Sequence, residues 1–186
     1  DAAYAEAATG EGSALISALA SFPRPVIAAM EGVAVGAGLS IAMACDIRIA
    51  ATNIRLFAPF GRWGIAADTA ISYTMLAVAG LDRTSLFLYT GEEIDGTRAA
   101  AMGIVTEALP AEEVLPRAGE IAARIAGNAP LAVAATRRLL KRRFLPGLDE
   151  HLPEDDAATL RTLASRDARE AMAAYVERRE PRFEGR

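Results

Sequence analysis

The chain holds one cysteine, one histidine and one lysine, which are Cys45, His151 and Lys141. A single cysteine excludes internal disulfides. Cys45 lies in an apolar stretch, so it reads as a core residue rather than a nucleophile, in keeping with a reducing compartment. A single histidine cannot build a histidine metal site. A Ser-His-Asp triad would need His151, which stands in a charged stretch far along the chain, and that reading is disfavoured. No apolar run reaches roughly 18 residues without a charge, and no signal-peptide pattern is present. A soluble, cytoplasmic protein without a membrane partner is expected. The formal charge of −4 argues against nucleic acid as a partner. No repeat of fixed period or low-complexity linker divides the 186 residues, which suffice for one sizeable core.

What is present centres on Pro25 to Asp46, PVIAAMEGVAVGAGLSIAMACD. Val26 to Met30 is apolar and begins with β-branched residues, so it reads as a buried strand ended by Glu31-Gly32. The glycine-rich GVAVGAG follows as a loop. After it, Leu39 to Cys45 carries no charge, glycine or proline and reads as a buried helix. Strand, glycine-rich loop and helix in that order make an anion or oxyanion site. The first N–H groups of such a helix lack intrahelical partners and carry the positive end of the dipole. Gly36 and Gly38 let a ligand approach the backbone. A tight crossover without a ligand is the bland alternative. A dinucleotide fold is disfavoured, because Leu39, Ser40 and Ile41 follow Gly38 where a third glycine is needed, and no suitably spaced acidic residue closes a second strand.

The remaining pattern predicts a helix over Ser13 to Ala20, strands over Asp46 to Ala50 and Ile54 to Ala58, and an irregular loop over Pro59 to Asp68. Helices follow from Thr69 to Ala79, stopping at Gly80, and from Asp82 to Tyr89. A short helix capped by Asp95 and a strand over Ile104 to Leu109 come next. Ala111 to Ala126, Pro130 to Phe144, Leu148 to Leu163 and Arg166 to Arg179 read as four helices with apolar faces. The result is an α/β core with a helical tail, whose surplus of apolar stripe suggests a subunit interface.

Three stretches carry a family resemblance: PRPVIAAMEGVAVGAGLSIAMACDIRIA, FAPFGRWGIAAD and SRDAREAMAAYVERREPRF. With these, the chain resembles the enoyl-CoA hydratase/isomerase (crotonase) family over nearly its whole length. The resemblance implies a spiral of strand-strand-helix units, residues 1–110, followed by a helical oligomerisation region, 111–186. It implies an acyl-CoA thioester as substrate, no further cofactor, and a homotrimer or dimer of trimers. It also implies that two backbone N–H groups hold the thioester oxygen as an enolate oxyanion, a term of roughly 3 kcal/mol per donor. One donor maps to Ala37. The other belongs to a loop expected before Asp1, together with the first strands of the spiral, so that either the 186 residues are part of a longer protein or half the oxyanion hole is missing, and both readings stay open here. Val35, Gly36, Gly38, Ser40, Pro59, Phe60 and Trp63 map to the substrate-binding wall.

The two glutamates that hydratases of the family use map to Ser40 and Phe60, neither of which does acid–base work at neutral pH unaided. Simple hydration is therefore disfavoured, and double-bond isomerisation with Asp68 as the single proton carrier is favoured. A dry pocket around Phe60 and Trp63 is expected to raise the carboxyl pKa of Asp68 and strengthen it as a base. Asp68 can equally be the N-cap of the helix that follows, and both roles stay open here. Ser40 can bond substrate or water, or back-bond to the carbonyl four residues earlier, and the second is favoured. Glu31 and Asp46 read as structural or solvated. The basic run Arg137, Arg138, Lys141, Arg142 and Arg143 reads as a solvated face, or else as a partner for CoA phosphates or for acids of another subunit. Arg178, Arg179 and Phe183 lie where the family's tail approaches the CoA end of a site. The rival readings are an inactive acyl-CoA-binding or assembly subunit, and another crotonase-type reaction such as hydration, dehalogenation or decarboxylation.

Overall fold

The computed structural model describes residues 2–185. Helix α1 (Ala2–Ser21) leads, and Phe22-Pro23-Arg24-Pro25 breaks it, since neither proline can extend a helix there. Strands β1 (Ile27–Met30) and β2 (Val33–Val35) then precede helix α2 (Ala37–Ala44). A second unit repeats the order: β3 (Ile47–Ala51), β4 (Arg55–Phe57), a 3-10 turn at Gly61–Trp63 and helix α3 (Ile71–Ala79). Helices α4 (Leu81–Thr90) and α5 (Gly96–Ala101) lead to β5 (Glu107–Leu109). The tail is α6 (Ala111–Ala126), α7 (Pro130–Phe144), α8 (Leu148–Leu163) and α9 (Arg166–Glu177).

The strands sort into two parallel ladders. One has the order β1-β3-β5, and the other pairs β2 with β4. Ile27 stands opposite Ile47, and Val35 opposite Phe57. Each strand-strand pass adds one strand to both ladders, which is the spiral that the family resemblance implies. Parallel strands with helices on their faces are buried on both sides, and Ile49, Ala50 and Ala51 of β3 have no exposed surface. The main core gathers Leu39, Met43, Ile49, Ile54, Leu56, Ile71, Met75, Phe87, Ile104 and Val114. A second, smaller core of Ile16, Ala44, Ala70, Leu148 and Leu152 packs α1, α2 and α8 together.

Several expectations need correction. GVAVGAG is not all loop, because Val33–Val35 forms β2; three residues between glycines are too short for a period-two pattern to register. Helix α1 starts far earlier than Ser13, its alanine-rich first half having high helix propensity but little periodicity. Strand β5 covers only Glu107–Leu109, and α9 ends at Glu177 with Arg178 in the left-handed region. The basic run of α7 is not one solvated face. Arg137 is buried, and its guanidinium donates to Asp46 Oδ2 at 2.8 Å and to the carbonyls of Leu19, Ala20 and Phe22 at the end of α1. Lys141 donates to the Ala44 carbonyl at 2.8 Å and pairs with Asp46 Oδ1 at 3.2 Å. These bonds satisfy last-turn carbonyls of α1 and α2 that have no helical partner. Arg138, Arg142 and Arg143 are exposed.

Candidate functional site

Gly36 enters α2 with φ 50° and ψ −122°, a backbone state that a side chain would strain. Its N–H donates to the Phe57 carbonyl at 3.3 Å, so the end of β4 sets where the turn lies. Ala37 and Gly38 are exposed, while Leu39, Ser40, Ala42, Met43 and Ala44 behind them are buried. The N-terminus of α2 is thus open to a ligand and rigidly backed. The first amides of the helix have no carbonyl one turn back to receive them, so they suit a developing negative charge. Val35 is half-buried beside this turn.

Ser40 has no exposed surface, and its hydroxyl lies 3.1 Å from the Gly36 carbonyl, the back-bond favoured from sequence. The same hydroxyl lies 3.4 Å from the carbonyl of Asp68. The glycine turn and the second loop therefore meet at Ser40. Pro59 and Phe60 are buried, and Phe60 belongs to the main core with 3% exposure, so little of it is available to a ligand. Trp63 stands at 43% exposure on the 3-10 turn.

Asp68 is not the N-cap of α3. The helix begins at Ile71, the cap position is Ala70, and no side chain caps it. The Asp68 carboxyl instead accepts from the Thr69 hydroxyl at 3.0 Å. Burial raises its pKa above the usual carboxylate range, with the nearby Asp156 charge adding to the rise and the Thr69 bond opposing it. This is the direction that improves a carboxylate as a base near neutral pH.

Thr69 and Ala70 both have φ 55°, and neither is glycine. Each costs about 1 kcal/mol or more relative to a right-handed residue, and such states persist only where surroundings impose them. The surroundings are α1 and α8. Asp155 of α8, 5% exposed, accepts from the Ala70 N–H at 2.9 Å. Asp156 accepts from Ser13 of α1 at 2.5 Å, and a Cβ on Gly12 would stand 3.4 Å from the Thr69 hydroxyl. His151 Nε2 lies 3.1 Å from Ser72 Oγ and 3.6 Å from Asp155 Oδ1, and its ring tilts against Tyr73 at 4.8 Å. Serine and aspartate approach the same ring nitrogen, so no proton relay through the imidazole exists, in line with the rejection of a triad. The sequence reading missed Asp155 and its neighbours. The available signal was His151-x-x-x-Asp155, two polar residues on one helical face interrupting an apolar stripe.

Among the described residues no group of three or more His, Cys, Asp or Glu is placed to hold a metal ion. None of the described helices is long and apolar enough to cross a membrane.

The Enoyl-CoA hydratase/isomerase family model matches residues 2–186. The chain belongs to this family. It is 31% identical over 168 residues to a short-chain-enoyl-CoA hydratase of Clostridium acetobutylicum, covering 90% of this chain and 64% of that protein. It is 29% identical to the 2,3-dehydroadipyl-CoA hydratase of Escherichia coli, covering 90% and 66%. The chain thus spans about two thirds of the length of these curated relatives. Among solved structures, an enoyl-CoA hydratase from Mycobacterium avium subsp. paratuberculosis superposes with a TM-score of 0.89 at 31% identity, covering 94% of this chain and 71% of that one. Methylmalonyl-CoA decarboxylase shares the fold at 24% identity and a TM-score of 0.81. The crotonase fold with a helical C-terminal region is therefore the architecture of this chain.

Proposed function

We propose that the protein processes an acyl-CoA thioester and that its reaction is double-bond isomerisation. The Ala37 N–H, at the open start of α2, receives the thioester oxygen. Asp68 removes a proton from C2 of a 3-enoyl-CoA, leaving a dienolate whose charge rests on that oxygen, and returns the proton to C4. The double bond moves to C2–C3, and no water or redox partner is consumed. Coenzyme A enters as part of the substrate, and the reading requires no other cofactor.

The observation that carries this reading is the Asp68 loop: a part-buried carboxyl of raised pKa, joined through Ser40 to the glycine turn. Ser40 and Phe60, at the positions where hydratases of the family place glutamates, are both buried and neither supplies a carboxylate. The two curated relatives given above are named hydratases, so hydration is the reading to separate. The intact protein is offered a 3-enoyl-CoA and crotonyl-CoA in parallel. Isomerisation of the first with little hydration of the second is expected. Efficient hydration of crotonyl-CoA would show that another group replaces the glutamates and would overturn the preference. Thioester binding without turnover of either would identify a binding subunit.

A further inference from the structure

We infer that Asp155 is a positioning residue for Asp68, holding the Asp68-Thr69-Ala70 turn in the one conformation that presents the carboxyl. The inference rests on the proposed role of Asp68 and extends it to α8. Two consecutive non-glycine residues, Thr69 and Ala70, occupy the left-handed region immediately after Asp68. Both are buried, and the Ala70 methyl is packed in the small core between α1, α2 and α8. The Ala70 N–H faces no carbonyl of its own turn; its acceptor is Asp155 Oδ2 at 2.9 Å, eighty-five residues away. Without that acceptor a buried amide is left unpaired, and the two residues are free to return to right-handed backbone angles. Such a return swings the residue before them, which is Asp68.

The rest of the neighbourhood keeps Asp155 in place. His151, one turn earlier on α8, stands 3.6 Å from its other oxygen and is itself within 3.1 Å of Ser72 on α3. Asp156, next along α8, binds Ser13 of α1, and α1 passes Thr69 at Gly12. The turn is therefore held by α8 at Ala70, with α1 running close beside Thr69 at Gly12. A carboxylate has two acceptor oxygens, here Oδ2 on the Ala70 amide and Oδ1 towards His151, and a single hydroxyl oxygen cannot stand in both places. Displacement of a proton carrier by a fraction of the bond being transferred lowers the chemical step without loosening the bound thioester.

The test compares Asp155→Ala, Asp155→Asn and the double variant Asp155→Ala/Ala70→Gly in the intact protein. Two readouts are taken: kcat and KM for a 3-enoyl-CoA, and hydrogen exchange of the Ala70 amide. Asp155→Ala is expected to lower kcat at least about tenfold with KM little changed, and to speed exchange of the Ala70 amide by about the same factor or more. Asp155→Asn keeps an acceptor oxygen and is expected to recover most of kcat and most of the protection. If Asp155→Ala folds poorly, the glycine variant restores the fold by making the left-handed turn free of strain, yet it leaves kcat low because nothing fixes the turn. Unchanged kcat in a folded Asp155→Ala or double variant overturns the inference. So does an Asp155→Asn as impaired as Asp155→Ala, since charge rather than the amide contact would then be what matters. Should the unmodified protein isomerise nothing, the proposed function fails by itself. The exchange readout then decides the inference, and unaltered Ala70 protection in Asp155→Ala overturns it.

Discussion

The hydroxyl of Ser40 lies 3.4 Å from the carbonyl oxygen of Asp68. It lies 3.1 Å from the carbonyl of Gly36 as well, and a hydroxyl has only one proton to offer. Shared or exchanged between the two carbonyls, that proton ties the glycine turn before α2 to the loop that carries Asp68. Ser40 thereby braces the two segments of the candidate site against each other.

Asp68→Asn retains the size of the side chain and an acceptor for the Thr69 hydroxyl, but it cannot take a proton. Isomerisation of a 3-enoyl-CoA is expected to fall by at least about 100-fold, with thioester binding nearly unchanged. Near-normal turnover would move the base to another acid. Helix capping offers no escape for the alternative, because Ala70 and not Asp68 occupies the cap position.

The residue pattern made the α/β core and its helical tail legible because each strand-helix pass leaves a mark: Val26 to Met30 before the glycines, the chargeless Leu39 to Cys45 after them, Asp95 as the cap of α5. The spiral itself came from the family resemblance. Asp95 indeed accepts from the Arg98 N–H at 2.7 Å. Strand β2 was hidden by its length. The Asp68 turn was hidden for a different reason. Propensity continues a helix back to Thr69, whereas Thr69 and Ala70 are left-handed where the Ala70 N–H meets a carboxylate eighty-five residues downstream, a contact that local sequence does not show. The brace from Arg137 to the end of α1 was hidden in the same way, since a run of basic residues does not reveal which member turns inward.

The pH dependence follows from burial. Asp68 and Asp155 both have pKa values raised above those of an unfolded chain, burial being the leading cause for each. Between the unfolded value, about 4, and the raised native values, the native state holds more protons than the unfolded state. Stability therefore falls as pH rises through that window and is recovered below it. Asp68→Asn removes one buried charge, so it is expected to melt above the unmodified protein at pH 7, with the difference closing towards pH about 4. Melting curves across pH check the sign, and a difference that widens on acidification would contradict it. The acid limb of kcat/KM for isomerisation is expected above the ordinary carboxylate range, because the base works only when ionised.

Asp46 gathers three donors: the Val26 N–H and the Arg137 Nε at 2.8 Å, and Lys141 at 3.2 Å. It joins the start of β1 to α7. Asp46→Ala strands the Arg137 guanidinium, 6% exposed, without its counter-charge. Removing one partner of a buried pair costs about 3–5 kcal/mol, and the part-exposure of Asp46 places the expectation near about 3. Arg138→Ala on the exposed face of the same helix is expected to change stability by less than about 0.5 kcal/mol. Denaturant titrations of the two variants should separate widely. Similar midpoints would mean that the Asp46 cluster adds nothing to stability.

Gly64 closes the 3-10 turn with φ 68°, and a Cβ there would come within 2.8 Å of the Ala168 nitrogen. That nitrogen is the one that Ser165 caps at 3.0 Å, so the methyl would push into the first turn of α9. Strain and crowding together put the cost of Gly64→Ala at about 2–4 kcal/mol. The accompanying sign is release of α9 from the second loop, seen as faster amide exchange over residues 165–177 than over α4. Full stability in Gly64→Ala would show that the loop and α9 shift apart freely.

The outer faces of the tail predict assembly. On α9, Ala168, Ala171 and Ala174 are buried, while Met172, Tyr175 and Val176 form a stripe at helical spacing with exposures of 65%, 76% and 77%. On α7, Leu131, Leu139, Leu140 and Phe144 are more than half exposed, and on α4 so are Leu81 and Tyr89. Scattered apolar residues are ordinary on a surface, but repeated stripes on three helices are a cost that a second copy removes. Burying one such side chain is worth about 1.5–3 kcal/mol, so three on each partner supply about 9–18 kcal/mol, set against about 4–15 kcal/mol for the freedom lost on association. Light scattering of the purified protein is expected to give three or six times the protomer mass. Tyr175→Glu with Val176→Glu is expected to lower that mass at equal concentration if α9 carries the contact, while melting of the protomer's core is retained. A clean monomer at micromolar concentration before any substitution would sink the prediction, and the stripes would then need another cover.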